Sequence, residues 1–105
     1  MHITPSEALK ALADTPSPIK ELFTHGTLSV EIYQPEKVDL QQPHDRDEVY
    51  VIVSGTGRFL NGSEEVTFGP GDFLFVPAGR VHRFIDFTDD FATWVIFYGP
   101  VGGEG

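Results

Sequence analysis

The residues that carry the most chemistry in this chain are Gln42, His44 and Glu48, in the stretch "QPHDRDEVYVIVSG", and His82, in "GDFLFVPAGRVHRFID". Residues of equal parity in a strand share a face, so Gln42, His44 and Glu48 can all turn to one side of a sheet. Asp47 cannot turn to that side together with Glu48. Arg46 has the parity of the donor group, so keeping it out requires a turn or bulge within "DRD". A carboxylate buried beside imidazoles needs a compensating cation, because an unpaired charge in a low-dielectric interior is very costly. A divalent metal supplies it. His82 lies roughly forty residues further on, just past Pro77 and Gly79 at the opening of an aromatic strand, and is the third donor.

A histidine standing alone is more often a surface or hydrogen-bonded residue. His2 and His25 belong to no constellation, and His25 with Gly26 reads as a turn. Asp45 and Asp47, beside Arg46 at a strand entry, read as a solvated rim with weak ion pairs rather than as ligands. The chain has no Cys, which excludes a disulfide framework and thiolate ligands. The remaining nitrogen and oxygen donors leave Fe, Mn, Ni, Co and Zn open.

Positioning these residues falls to one domain, since 105 residues hold a single sizeable core and not two. Thr4, Pro5 and Glu7 have the spacing of a capping box with Pro at the first helical position, and Ala8, Leu9 and Leu12 follow at helical intervals. The spacing predicts a short N-terminal helix, ended by the prolines of "DTPSP". Beyond Pro18 the period becomes two: "TLSVEIYQ" sets Leu28, Val30 and Ile32 on one face and Ser29 and Glu31 on the other, a half-buried strand. "EVYVIVSG" is apolar on both faces, "GRFL" and "EEVTF" flank the turn pair Asn61–Gly62, and "FLFVP", "HRFIDF" and "TWVIFYG" are rich in β-formers. Many short strands with Gly and Pro corners predict an all-β sandwich or barrel, and the lack of βα alternation argues against a doubly wound sheet. The chain divides into a helix and Pro-rich connector over 1–18, a barrel over 19–100 and a flexible tail, "VGGEG", over 101–105.

The spacing of the donors resembles the cupin superfamily, in its small single-domain cupin-2 form. His44, three residues, Glu48, six residues and Gly55 match the first cupin motif; Gly71, five residues, Pro77, one, Gly79, two and His82 match the second. Thr56 to Pro70 fit the compact version of the segment between them. The resemblance covers about two thirds of the chain and implies a small jelly-roll barrel with a metal inside. It also implies a ligand set of His44, Glu48 and His82, a two-His, one-carboxylate arrangement with open positions, as in non-haem iron oxygenases. Two positions depart from the pattern. Gln42 stands where the family has the first His of His-x-His, and offers an amide oxygen to the metal or a hydrogen bond to a bound water. Asp86 stands where Asn is common, and either orients a ligand or faces a polar lumen.

Most of Tyr50, Phe75, Phe84, Trp94, Ile96 and Tyr98 read as core rather than as a substrate wall, and Arg80 as a solvated loop charge rather than a carboxylate receptor. Lys plus Arg number 7 against 16 Asp plus Glu, a formal charge of -9 that repels phosphate backbones and anionic lipid, so neither nucleic acid nor membrane is an expected partner. With no leader pattern and no long apolar run, a cytoplasmic location is the expectation. Three functions are compatible with the site: a dioxygenase-type metal enzyme acting on a small organic molecule, a non-catalytic barrel that binds or senses a sugar-like ligand, and a Zn or Mn isomerase. The enzyme is favoured over the isomerase because few basic residues near the motifs could receive a sugar phosphate. Exposed edge strands and the N-terminal segment predict a homodimer.

Overall fold

The computed structural model describes residues 1–105. Helix α1 (Pro5–Ala13) precedes eight strands: β1 (Ile19–His25), β2 (Leu28–Tyr33), β3 (Asp47–Ser54), β4 (Gly57–Asn61), β5 (Glu64–Phe68), β6 (Phe73–Val76), β7 (His82–Ile85) and β8 (Ala92–Tyr98). They form a five-stranded sheet ordered β1-β2-β8-β3-β6 and a three-stranded sheet ordered β5-β4-β7, with every pairing antiparallel. The architecture is a small jelly roll with a short helix laid on its outside.

The capping box forms as the sequence predicts. The Glu7 amide donates to Thr4 Oγ1 at 3.1 Å, while Glu7 Oε1 accepts from the Thr4 amide at 3.3 Å. Ala8 and Leu12 bury against Ile32, with Ile3, Leu9, Leu22 and Trp94 around them, so helix and sheet stabilise each other. The break expected at "DRD" is a bend at Asp45 and Arg46, after which β3 begins at Asp47.

The core lies between the sheets and is mostly aromatic. Phe84 meets Phe59 at 4.6 Å, Phe91 at 4.7 Å and Tyr50 at 4.8 Å between ring centroids. This closes one end of the barrel. Gly55, the last residue of the first motif, shows why a side chain is barred there: its φ is +85°, and a Cβ would lie 2.5 Å from the Phe91 Cα.

Strand β2 inverts the usual reading of an alternating strand. Leu28, Val30 and Ile32 do share a face, but it is the outer one; Tyr33 enters the core cluster, and Ser29 and Glu31 line the mouth of the barrel. The outer face of the large sheet is accordingly apolar in rows. Strand registers align Phe23, Val30, Ile96, Val49 and Phe75 in one row and Ile32, Trp94, Val51 and Phe73 in the next. Phe73 is 66% exposed and Phe75 43%. Tyr50 and Phe84 are core as expected, whereas Phe75 is a surface residue and Trp94 and Ile96 pack outside the barrel beneath the N-terminus. Strand β1, rich in charge, was not expected from "IKELFTH"; it forms because the tight turn at Gly26 returns it onto β2.

The C-terminal residues do not fray as expected. The Gly102 amide donates to the Asp45 carbonyl at 2.7 Å, and the Glu104 amide donates to Asp47 Oδ2 at 2.8 Å. No helix is long and apolar enough to cross a membrane.

Candidate metal centre

Three separate parts of the chain deliver the central donors. Glu48 is the second residue of β3, flanked in register by Val76 of β6 and Phe97 of β8, and it points between the sheets. His82 opens β7 in the other sheet, paired with Asn61. His44 sits in the segment before β3, edge-on to Phe97 at 4.9 Å. One donor atom from each of the three lies within 4.8 Å of the others.

The turn after β6 aligns the two motifs. The Arg80 amide donates to the Pro77 carbonyl, closing a turn whose third residue, Gly79, has φ +81°. That is the left-handed position of a type II turn, which favours glycine. From this turn the Gly79 amide donates to the His44 carbonyl at 2.7 Å and the Ala78 amide donates to Asp47 Oδ1 at 2.9 Å.

The electrostatics of the centre call for a cation. Glu48 is fully buried and His82 3% exposed. His82 Nδ1 lies 2.9 Å from the Arg80 carbonyl, an oxygen that can only accept, so Nδ1 carries the proton and Nε2 presents a lone pair. That lone pair faces Glu48 Oε1 at 3.2 Å, and His44 Nε2 lies 3.8 Å from Glu48 Oε2. The Nε2–Oε1 separation would suit a hydrogen bond, but the alignment does not: both Glu48 oxygens and His82 Nε2 are buried without a hydrogen-bond partner. Buried electron-rich atoms converging from Glu48 and His82, with His44 beside them, fit a divalent cation, with two neutral imidazoles and one carboxylate as its donors. Burial opposes charging of His82, yet the facing Glu48 carboxylate and the Arg80 carbonyl outweigh it and raise its pKa above the ordinary value. Tyr50, behind the cluster, is held far above the ordinary phenol value by burial and then by Glu48, so its hydroxyl stays a donor.

The structure does not bring Gln42 into this group: Gln42 is exposed, and it is Gln41 whose side chain turns inward. Gln41 Oε1 lies 3.2 Å from His44 Nε2 and accepts from the Tyr50 hydroxyl at 3.2 Å. Behind it stands Asp39, 1% exposed, which accepts from the Tyr33 hydroxyl at 2.6 Å, the Phe84 amide at 2.9 Å and the Gln41 amide at 3.0 Å. Sequence reasoning missed both Asp39 and Gln41. Neither stands at motif spacing, and only the path of the loop puts them beside the histidine.

Asp86 neither orients a ligand nor faces a lumen; it is exposed and paired with Arg58. Asp45 is exposed, as a rim residue should be, but Asp47 is not solvated. Its carboxylate is 5% exposed and accepts the Ala78 and Glu104 amides, which lower its pKa. It points to the face opposite Glu48, so both acids are buried without sharing a pocket. Arg46 donates to the Thr27 carbonyl and lies over the Phe97 ring at 5.7 Å. Arg80 is exposed and folds against Gly62. A cleft of about 310 Å³ reaches His44 between Glu21, Ser29, Glu31, Arg46 and Phe97. Glu31 there titrates above the ordinary carboxylate value, chiefly through burial and then through Glu21 and Glu48.

An antiparallel jelly roll whose lumen gathers two histidines and a glutamate from two motifs defines a cupin-type barrel. Residues 29–98 match the family model of the cupin domain, and the chain belongs to the cupin family. It is 36% identical over 82 residues to an uncharacterized protein of Streptomyces coelicolor, covering 76% of this chain and 78% of that protein. Among solved structures it resembles a cupin-2 domain protein from Shewanella frigidimarina, at a TM-score of 0.67 and 14% identity over 87% of this chain and 91% of that one. KdgF from Halomonas sp. superposes with a TM-score of 0.67 at 18% identity, over 78% of this chain and 77% of that one. At these identities the structural likeness speaks for the fold.

Proposed function

We propose that this cupin is a divalent-metal enzyme of the dioxygenase type, acting on a small organic molecule that enters beside His44. The observation carrying this reading is the set of buried, unpartnered atoms on Glu48 and His82, with His44 at the mouth of a cleft. When bound, a metal with open positions supplies Lewis-acid activation of an oxygen-bearing ligand and, as iron, reaction with dioxygen. The protein's own residues hold the site in shape: the Arg80 carbonyl fixes the His82 tautomer, Tyr50 keeps its proton, and the aromatic end of the barrel excludes water. The cleft carries Glu21, Glu31 and Asp45 against Arg46, which favours a neutral, hydroxyl-bearing substrate over an organic acid.

The test is metal content of protein purified without chelator, followed by oxygen uptake of the Fe(II)-loaded form over a panel of phenols, diketones and polyols. Metal-dependent uptake with one substrate class supports the reading. A metal-free protein that still binds a sugar-like ligand favours the sensor reading, and turnover with Zn or Mn but not Fe favours the isomerase.

We infer also that two copies pair through the outer face of the five-stranded sheet. Its two rows of apolar side chains contain no carboxylate, and their one charge is Lys20 of β1 at the end beyond Ile32, so two chains of charge -9 can meet there without opposing acids. Phe73 and Phe75, at the uncovered end, would be the residues that the pairing removes from water.

A further inference from the structure

The metal reading leaves open what fills the place of the missing first histidine, and the loop geometry answers it. We propose that Gln41, not Gln42, supplies the fourth protein ligand through its side-chain oxygen, with Asp39 as the residue that aims it; this rests on the metal reading above.

The orientation of the Gln41 amide follows from its neighbours. Its nitrogen lies 3.2 Å from Asp39 Oδ2. A carboxylate can only accept, so the donating end of the amide must face Asp39 and the oxygen must face the cluster. Asp39 is itself immobilised by the Tyr33 hydroxyl and by the Phe84 and Gln41 amides, in a loop where it is 1% exposed. At the other end, Oε1 has two lone pairs. One accepts from the Tyr50 hydroxyl, leaving one directed toward the donor cluster.

The spacing fits a shared ion. Donors bound to one ion at about 2.0–2.2 Å stand roughly 3 to 3.5 Å apart. Gln41 Oε1 is 3.2 Å from His44 Nε2, and His82 Nε2 is 3.2 Å from Glu48 Oε1. The amide oxygen therefore stands at donor spacing from the His44 nitrogen, whereas Gln42 is exposed. An amide oxygen adds no charge, so the four ligands together would carry a single negative charge, from Glu48.

The competing role is that Gln41 only accepts a hydrogen bond from the His44 ring, and Co(II) separates the two because its visible absorption reports the number of bound ligands. The experiment compares wild type, Gln41→Ala, Gln42→Ala and Asp39→Asn for Co(II) affinity by competition titration, for the visible spectrum of the loaded protein, and for folding by circular dichroism. Gln41→Ala is expected to weaken Co(II) roughly tenfold or more and to change the absorption, while Gln42→Ala leaves both at wild-type values. Asp39→Asn, which lets the amide turn over, is expected to weaken Co(II) as well. Wild-type affinity or an unchanged spectrum in a folded Gln41→Ala protein would overturn the proposal, as would loss confined to Gln42→Ala. Both of those results leave the metal reading standing; failure of the wild-type protein to take up Co(II), Zn or Fe removes that reading and the proposal together.

Discussion

The Gly79 amide donates to the carbonyl of His44 at 2.7 Å, so the turn that leads to His82 also holds the loop that carries the other imidazole. Gly79 has φ +81°, but a Cβ built on it would meet nothing within 4 Å. Gly79→Ala therefore strains the backbone without a clash. It is expected to cost about 1–2 kcal/mol, seen as an earlier midpoint in urea unfolding, together with weaker metal binding because both histidines lose registration.

His82→Ala should abolish metal retention while the fold survives, since His82 borders the aromatic core at Tyr50 and Phe59 but Phe59, Phe68, Phe84 and Phe91 pack on one another without it. Asp45→Ala should leave occupancy at the wild-type level, because Asp45 is an exposed rim residue. Metal analysis after gel filtration, read beside the far-ultraviolet spectrum, checks both. Full occupancy in the His82 variant would remove that residue from the ligand set.

The raised pKa of His82 predicts how the metal-free protein responds to pH. A histidine that holds its proton more tightly when folded contributes stability that is fully present below its unfolded value, near 6.5, and is lost as pH rises through the higher folded value. The melting temperature of metal-free protein is thus expected to fall across that window, and His82→Asn to flatten the fall. Metal competes with the same proton, so its affinity should rise over the same interval.

Asp47 makes the opposite prediction at acid pH. Its pKa is lowered by the Glu104 and Ala78 amides, so its contribution is present above the unfolded carboxylate value and disappears as pH falls through the folded one. Asp47→Ala should remove this acid dependence and free the tail. Hydrogen exchange should then be faster at Ala78 and Glu104, and unchanged exchange would show that the tail is held by something else.

Pairing through the outer sheet face predicts a dimer in sedimentation that Phe73→Glu converts to monomer without loss of fold. A monomeric wild-type protein, or a variant that stays dimeric, would place the contact elsewhere or nowhere.

The barrel and the convergence of His44, Glu48 and His82 were legible because the spacings of His44, Glu48, Gly55, Gly71, Pro77, Gly79 and His82 record which residues must meet across two sheets. Other features were not. Alternation in "TLSVEIY" identifies two faces but not which is inside, and a polar lumen with a helix packed outside reverses the usual choice. Asp47 beside Arg46 looks solvated until the chain end folds back over it. Asp39 and Gln41 lie in a loop, where neighbouring side chains follow no fixed period, so counting from His44 selects Gln42 when the backbone selects Gln41.

Glu48 and His82 belong to different layers of the sandwich, one to the five-stranded sheet and the other to the three-stranded sheet. An ion gripped by both would rivet the layers together, and prising them apart would mean surrendering it. Thermal resistance should therefore climb with free metal concentration by mass action, making the histidine and glutamate cluster a structural cross-link as well.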